Sequence, residues 1–207
     1  MSQLPEFLFD GPADAAVTVV LAHGAGAPMD SPFMVAFAEG LAARGLRVAR
    51  FEFPYMTQRR ATGKKRQPDR APVLEATWLN VIDHLGANKL VIGGKSMGGR
   101  IASMVADAAG VRGLVCLGYP FHPPGKPEKT RTAHLAELRT PTLILQGTRD
   151  SLGNAEAVAG YTLSPAIRLH WLEDGDHGFK PRKASGRTKA GNWAEAIEAL
   201  ADFARGL

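Results

Sequence analysis

One cysteine is all the thiol chemistry this 207-residue sequence offers. Cys116 sits inside the apolar run "GLVCLG", so no disulfide framework and no cysteine metal site can be built, and a reducing, cytoplasmic setting is the expectation. Long apolar runs are missing too. None approaches the roughly 18 residues that a membrane span needs, so no membrane association is expected. The N-terminus "MSQLPEFLFDGP" lacks a basic stretch followed by an apolar one, and no signal peptide is expected there. Metal-ligand spacing of the H-E-x-x-H kind is absent, and no metal or cofactor is expected. No internal repeat and no linker is visible. The chain reads as a single domain over residues 1–207, with 45% hydrophobic residues to fill a core.

What is present alternates. Strand-like runs fall at 7–9, 17–22, 46–53, 89–94, 113–118, 142–147 and 167–172, with helix-like stretches near 32–43, 72–85, 97–109, 133–138, 154–160 and 192–205. Ser31-Pro32 reads as an N-cap with proline at the first helical position, and Gly45 as the end of that helix. Runs such as "VTVVLA" are apolar on both faces, as strands covered by helices on both sides must be. The pattern predicts an α/β fold: a three-layer α/β/α sandwich around a mostly parallel, doubly wound sheet. Ligands of such sheets bind beyond the carboxyl ends of the strands, so the loops that follow strands are where chemistry belongs.

One such loop is dense in glycine. Residues 93–100 read "GGKSMGGR", directly after the apolar "KLVI". A phosphate-cradling loop G-x-x-x-x-G-K-[ST] would need a glycine at position 89, which is Lys89, and the dinucleotide pattern G-x-G-x-x-G has no second glycine in place. Gly94-Lys95-Ser96-Met97-Gly98 does fit G-x-S-x-G, a strained strand-to-helix turn that lifts a serine clear of the sheet. The bland alternative for Ser96 is a helix N-cap.

The other loops after strands carry matching groups. "HGAGAP" follows the second run, "TRDSLG" with Asp150 follows the sixth, and "EDGDHGF" with His177 follows the seventh. Asp174 and Asp176 are rival carboxylates, though they share a loop with His177. With "LAHGAGAPMDSPFM" and "GGKSMGGR", this Ser-Asp-His order resembles the α/β-hydrolases from about residue 17 to the C-terminus, and within them a subgroup of small, lidless proteins. The resemblance implies a serine hydrolase acting on an ester, thioester or related acyl bond. It assigns Ser96 as nucleophile, His177 as base and Asp150 as the acid that orients it. The Met97 N–H and an N–H of the HGAGA loop, that of Ala25, would be the oxyanion donors. His23, Gly24, Gly26, Gly94 and Gly98 would shape the supporting loops. Some eukaryotic relatives are components of protein complexes, so a non-catalytic module that binds an acidic partner through a basic edge is the alternative function.

Positive charge is unevenly spread. Residues 58–70, "QRRATGKKRQPDR", hold six bases including Arg59, Arg60, Lys64 and Lys65 against the single acid Asp69; residues 179–191, "FKPRKASGRTKAG", hold five and no acid. Both follow strands on the expected catalytic edge. A rim of Arg59, Arg60, Lys64, Lys65, Tyr119, His122 and Phe179 would favour anionic acyl substrates, with Tyr55, Met56 and Phe121 as further pocket walls. The alternative is two solvated loops. Nucleic acid is disfavoured, because no aromatic residue interleaves with the charges of 58–70. Only about 14 residues, "YPFHPPGKPEKTRT", separate the fifth strand-like run from the next helix signal. That is too short for a cap domain, so the site should be open. Nothing in the sequence fixes the oligomeric state.

Overall fold

The computed structural model describes residues 4–207. Among these, the apolar runs form seven strands: β1 (Phe7–Asp10), β2 (Thr18–Ala22), β3 (Arg47–Phe51), β4 (Leu90–Lys95), β5 (Gly113–Leu117), β6 (Thr142–Gly147) and β7 (Ile167–Leu172). The intervening segments form helices α1 (Pro32–Ala42), α2 (Pro54–Thr62), α3 (Ala71–Leu85), α4 (Met97–Ala109), α5 (Ala155–Ala159) and α6 (Lys189–Arg205). All strands join one sheet in the order β1-β3-β2-β4-β5-β6-β7. Only β1 runs antiparallel, against β3; every other pairing is parallel. The fold is therefore an α/β/α sandwich, as the sequence pattern predicts.

Alternation of side chains divides the core. Val20, Ala22, Ile92 and Ile144 point to the face covered by α3 and α4, where Leu74, Trp78 and Ile101 are buried. Val19, Leu21, Val91 and Leu143 point to the opposite face, against Phe37 and Leu41 of α1 and Leu200 of α6. Each such fully buried large side chain contributes about 1.5–3 kcal/mol of transfer free energy. That is why the central strands show no polar alternation.

Strand order reverses between β2 and β4, which pair with Ala22 opposite Gly94. This is the topological switch point, where two loops leave the sheet in opposite directions and open a crevice. The loop after β2 and the turn after β4 lie side by side there.

Three local expectations change. Residues 54–62 form α2, which a reading of 58–70 as a loop does not anticipate. Only Tyr55 and Met56 of this helix are buried, so it carries almost no apolar periodicity. Its signals were at its ends: Pro54 at the first turn and Gly63 in the left-handed region, at φ 67°, just past the last. The stretch near 133–138 is a single 3₁₀ turn, Ala133–Ala136, with Leu135 and the following Leu138 buried in the core. The last helix starts at Lys189, three residues earlier than periodicity suggests, since the Thr188 side chain accepts from the Gly191 N–H and caps it. Between β5 and that 3₁₀ turn, residues 118–132 form no helix or strand. Among the described residues no helix is long and apolar enough to cross a membrane.

Candidate active site

The turn after β4 is shaped by close approach. Gly94 has φ 147°, and a Cβ there would run into the Ala22 carbonyl; a Cβ on Gly98 would meet the same carbonyl. Glycine at both positions lets strand, turn and α4 nest against β2. Ser96 between them has φ 50° and ψ −112°, a region side-chain-bearing residues rarely occupy. It occupies the N-cap position of α4, yet its side chain makes no capping hydrogen bond. The hydroxyl is turned away from the helix.

It meets His177. Ser96 Oγ lies 2.9 Å from His177 Nε2, and His177 Nδ1 lies 2.7 Å from Asp150 Oδ2. Asp150 is fully buried and also accepts from Leu152 N at 2.8 Å and from Gln146 Nε2 at 2.9 Å. With its other oxygen lone pairs held by donors, this carboxylate has one orientation to offer the imidazole. The rival acids are engaged elsewhere. Asp174 pairs with Arg182 and Arg149, and its Arg182 hydrogen bond leads the causes that hold its pKa at about 2. Asp176 Oδ1 accepts from Gly178 N and Lys180 N and closes its own turn.

Facing Ser96 is the HGAGA loop. An added Cβ on Gly24 would lie 3.5 Å from the Lys95 carbonyl oxygen and 3.8 Å from Ser96 Cβ, so this loop touches the turn after β4. The carbonyls of Gly24, Ala25 and Gly26 are each held by a side chain. His23 Nδ1 donates to Gly24 O at 2.7 Å, and Tyr55 Oη donates to Ala25 O at 3.1 Å and approaches Gly24 O at 3.3 Å. Arg59 Nη1 donates to Gly26 O at 3.2 Å. Peptides here are trans. In a trans peptide N–H and C=O point opposite ways, so the Ala25 N–H points away from the His23 and Tyr55 side chains that hold the Gly24 carbonyl. Met97 N–H begins α4, where no intrahelical acceptor exists. His23 Nε2 accepts from Phe53 N at 3.1 Å, which fixes the Nδ1–H tautomer. Burial lowers the His23 pKa and the Gly24 bond opposes that only in part, so the ring is neutral. Burial also pushes the Tyr55 phenol up and keeps its proton in place.

A cleft of about 590 Å³ opens at Ser96 and His177, walled by Phe33 and Trp193 and flanked by Lys95, Lys180 and Lys189. The expected rim changes in composition. Tyr119 and Phe179 are fully buried and His122 nearly so; Phe179 packs on Phe33 and Phe37, and His122 Nδ1 bonds to Pro123 O. Tyr55, Met56 and Phe121 are core residues as well. Aromatic rings this large are withdrawn from water wherever the core can take them. Lys64 and Lys65 are exposed and do not line the cleft, and Arg60 is taken up by Glu52 and Asp30.

Two residues escaped sequence reasoning. Gln146 bonds Tyr119 N, Tyr119 O and Gly153 O as well as Asp150, and so ties two loops to the acid. A lone glutamine in "TLILQG" was the available signal. Lys95 donates to the His177 carbonyl at 2.6 Å and lies near the rings of Phe33 and Phe179. Burial pushes its pKa down to about 8, against the pull of Asp150 and Asp176. Among the described residues no cluster of His, Cys, Asp or Glu is arranged to hold a metal ion.

A buried carboxylate, an imidazole and a strained serine in hydrogen-bonded line, at the switch point of a parallel sheet, define the class of α/β hydrolases. A family model for the alpha/beta hydrolase domain matches residues 15–205, and the chain belongs to that family. Solved structures with the same fold include an α/β serine hydrolase homologue from Coxiella burnetii, 20% identical over 97% of this chain and 90% of that one, TM-score 0.67. An α/β serine hydrolase without lid from Xanthomonas campestris is 21% identical over 96% and 87%, TM-score 0.69. A dienelactone hydrolase from Anabaena variabilis is 22% identical over 95% and 89%, also with TM-score 0.69.

Proposed function

We propose that this protein is a serine-dependent, lidless hydrolase that cleaves a carboxylic ester, thioester or related acyl bond. The observation that carries the reading is the continuous line Asp150–His177–Ser96, at 2.7 and 2.9 Å. A serine hydroxyl becomes a useful nucleophile when a base removes its proton as it attacks. His177 Nε2 takes that proton while Oγ bonds to the acyl carbon. Asp150 accepts from Nδ1–H, so the imidazole presents Nε2 and the imidazolium that forms is stabilised. The carbonyl oxygen becomes an oxyanion between the N–H groups of Met97 and Ala25. His177 then returns the proton to the leaving group. Water repeats the sequence on the acyl-enzyme and frees the acid.

Substrate preference follows from the cleft. Lys95, Lys180 and Lys189 supply positive charge beside the apolar walls of Phe33 and Trp193. An acyl group that carries a carboxylate or phosphate suits that lining better than a neutral one. A protein that only bound an acidic partner would have no use for the strain at Ser96.

A fluorophosphonate probe tests the reading. Native protein should be labelled and Ser96→Ala should not. Hydrolysis of short p-nitrophenyl esters should fall by about 10³-fold or more in that variant. Full labelling and turnover without Ser96 would move the nucleophile elsewhere.

A further inference from the structure

A second cluster of charge lies on α4, away from the cleft. Arg100 and Ser103 project from the helix, and Arg131 and His134 come from the segment after β5. Ser103 Oγ donates to Arg100 O at 2.6 Å and lies 2.9 Å from His134 Nε2. Serine has one proton to give. With it on the Arg100 carbonyl, His134 Nε2 must donate to Oγ, and Nδ1 is left free. Arg131 is held through its backbone: its N–H donates to Phe121 O at 2.7 Å, and its carbonyl accepts from Tyr119 Oη at 2.9 Å.

The guanidiniums have no counter-ion. Among the described residues neither Arg100 nor Arg131 pairs with a carboxylate; Arg100 Nη1 reaches only Met104 Sδ, at 3.5 Å. The next acid on α4, Asp107, is turned to Thr140 and to the backbone of Arg139. Both arginines are half-buried, and so is His134. Burial, and then the charge of Arg100, lower the pKa of both Arg131 and His134. Arg131 lies three residues before His134, which meets Ser103 one turn along α4 from Arg100, and like charges gathered in this way without an acid raise one another's free energy.

We propose that Arg100, Arg131 and His134 form an anion site for a phosphate group, distinct from the catalytic cleft. Guanidinium forks match tetrahedral oxyanions with paired N–H donors, and a dianion balances two of them. His134 Nδ1, protonated as the anion arrives, adds a third donor. The ligand is either free phosphate or a small phosphate monoester.

The test compares sodium phosphate, phenyl phosphate, acetate and chloride at matched ionic strength, with thermal unfolding and the NMR titration of the His134 ring as readouts. Phosphate should raise the melting temperature and the His134 pKa; acetate and chloride should do neither. A response to phenyl phosphate as well assigns an ester-bearing ligand, and its absence assigns the free ion. Arg131→Gln should weaken phosphate binding about tenfold or more, the loss of one charge-assisted fork. In chloride the same variant should be at least as stable as the native chain, because it removes repulsion. That separates lost binding from lost folding. An equal response to acetate, no response to phosphate, or native affinity in Arg131→Gln would each overturn the proposal.

Discussion

Segments 58–70 and 179–191 carry the same net charge, and the fold uses them differently. In the first, Arg60 bonds to Glu52 and Asp30, Arg59 to the Gly26 carbonyl, and Asp69 accepts from Tyr55 N at the start of α2. Its charges brace the back of the HGAGA loop, and Lys64, Lys65 and Arg66 are left in solvent. In the second, Arg182 pairs with Asp174, and Arg187 with Glu195 and Asn192. Lys180 and Lys189 are left at the cleft, with Lys189 Nζ 4.0 Å from the Trp193 ring centroid. In both segments arginine forks make most of the structural bonds, and the lysines, as point charges, are what remains for solvent or substrate. Equal net charge therefore says nothing about equal duty.

The largest test of this contrast is structural. Arg60→Ala should destabilise the protein by about 2 kcal/mol, because the Glu52 carboxylate is only 4% exposed and would lose its cation. The partly exposed arginine keeps the figure below that of a fully buried pair. A drop of about 4–8 °C in melting temperature is expected, and an unchanged one would reduce the first segment to decoration.

Lys95 belongs to neither segment and sharpens the comparison. Its ammonium titrates near 8 in the fold and near 10.4 unfolded, so between those values the unfolded chain binds more protons. Stability attributable to this group should therefore rise as pH climbs from 8 to about 10.4. Lys95→Met should flatten that rise by roughly 1–2 kcal/mol, measured from urea midpoints at several pH values. An equal or steeper rise in the variant would reassign the slope.

At the cleft, Lys180→Gln with Lys189→Gln should reduce kcat/KM for anionic p-nitrophenyl acyl esters by about five- to tenfold at low salt. Neutral esters should be unaffected, and added salt should erase the difference, since exposed charges are screened over about 8–10 Å. The smallest effect belongs to the other segment. Lys64→Gln, Lys65→Gln and Arg66→Gln together should change the same preference by no more than about twofold. A larger response there would put the first segment back at the site.

Fold and site differ in how openly the sequence shows them. Strands β2, β4, β5 and β6 were legible because burial on both faces removes polar residues from them. Helix α2 was not, since two buried residues leave no period to read. Ser96, Asp150 and His177 could be nominated because the loops that follow strands share one edge of the sheet, but sequence cannot show that their atoms fall into line. The rim failed at Tyr119 and Phe179 for a physical reason. Position after a strand places a residue at the right edge, and its hydrophobicity then decides whether it stays there or turns inward. Gln146 and Lys95 were hidden because their roles depend on distant partners, His177 82 residues away for Lys95 and Tyr119 27 residues away for Gln146.

Ser96 carries a last consequence, in its backbone. A positive φ of 50° at a residue with a side chain is held by the nesting of Gly94 and Gly98 against β2 and by the Ser96 N–H bond to the Leu117 carbonyl. Glycine at position 96 would relax it. Under selection for folding alone, mutation should drift this position towards glycine, and a serine retained there is paid for in every generation. Descendants that have given up chemistry should betray it first at this turn, by gaining stability as they lose the hydroxyl.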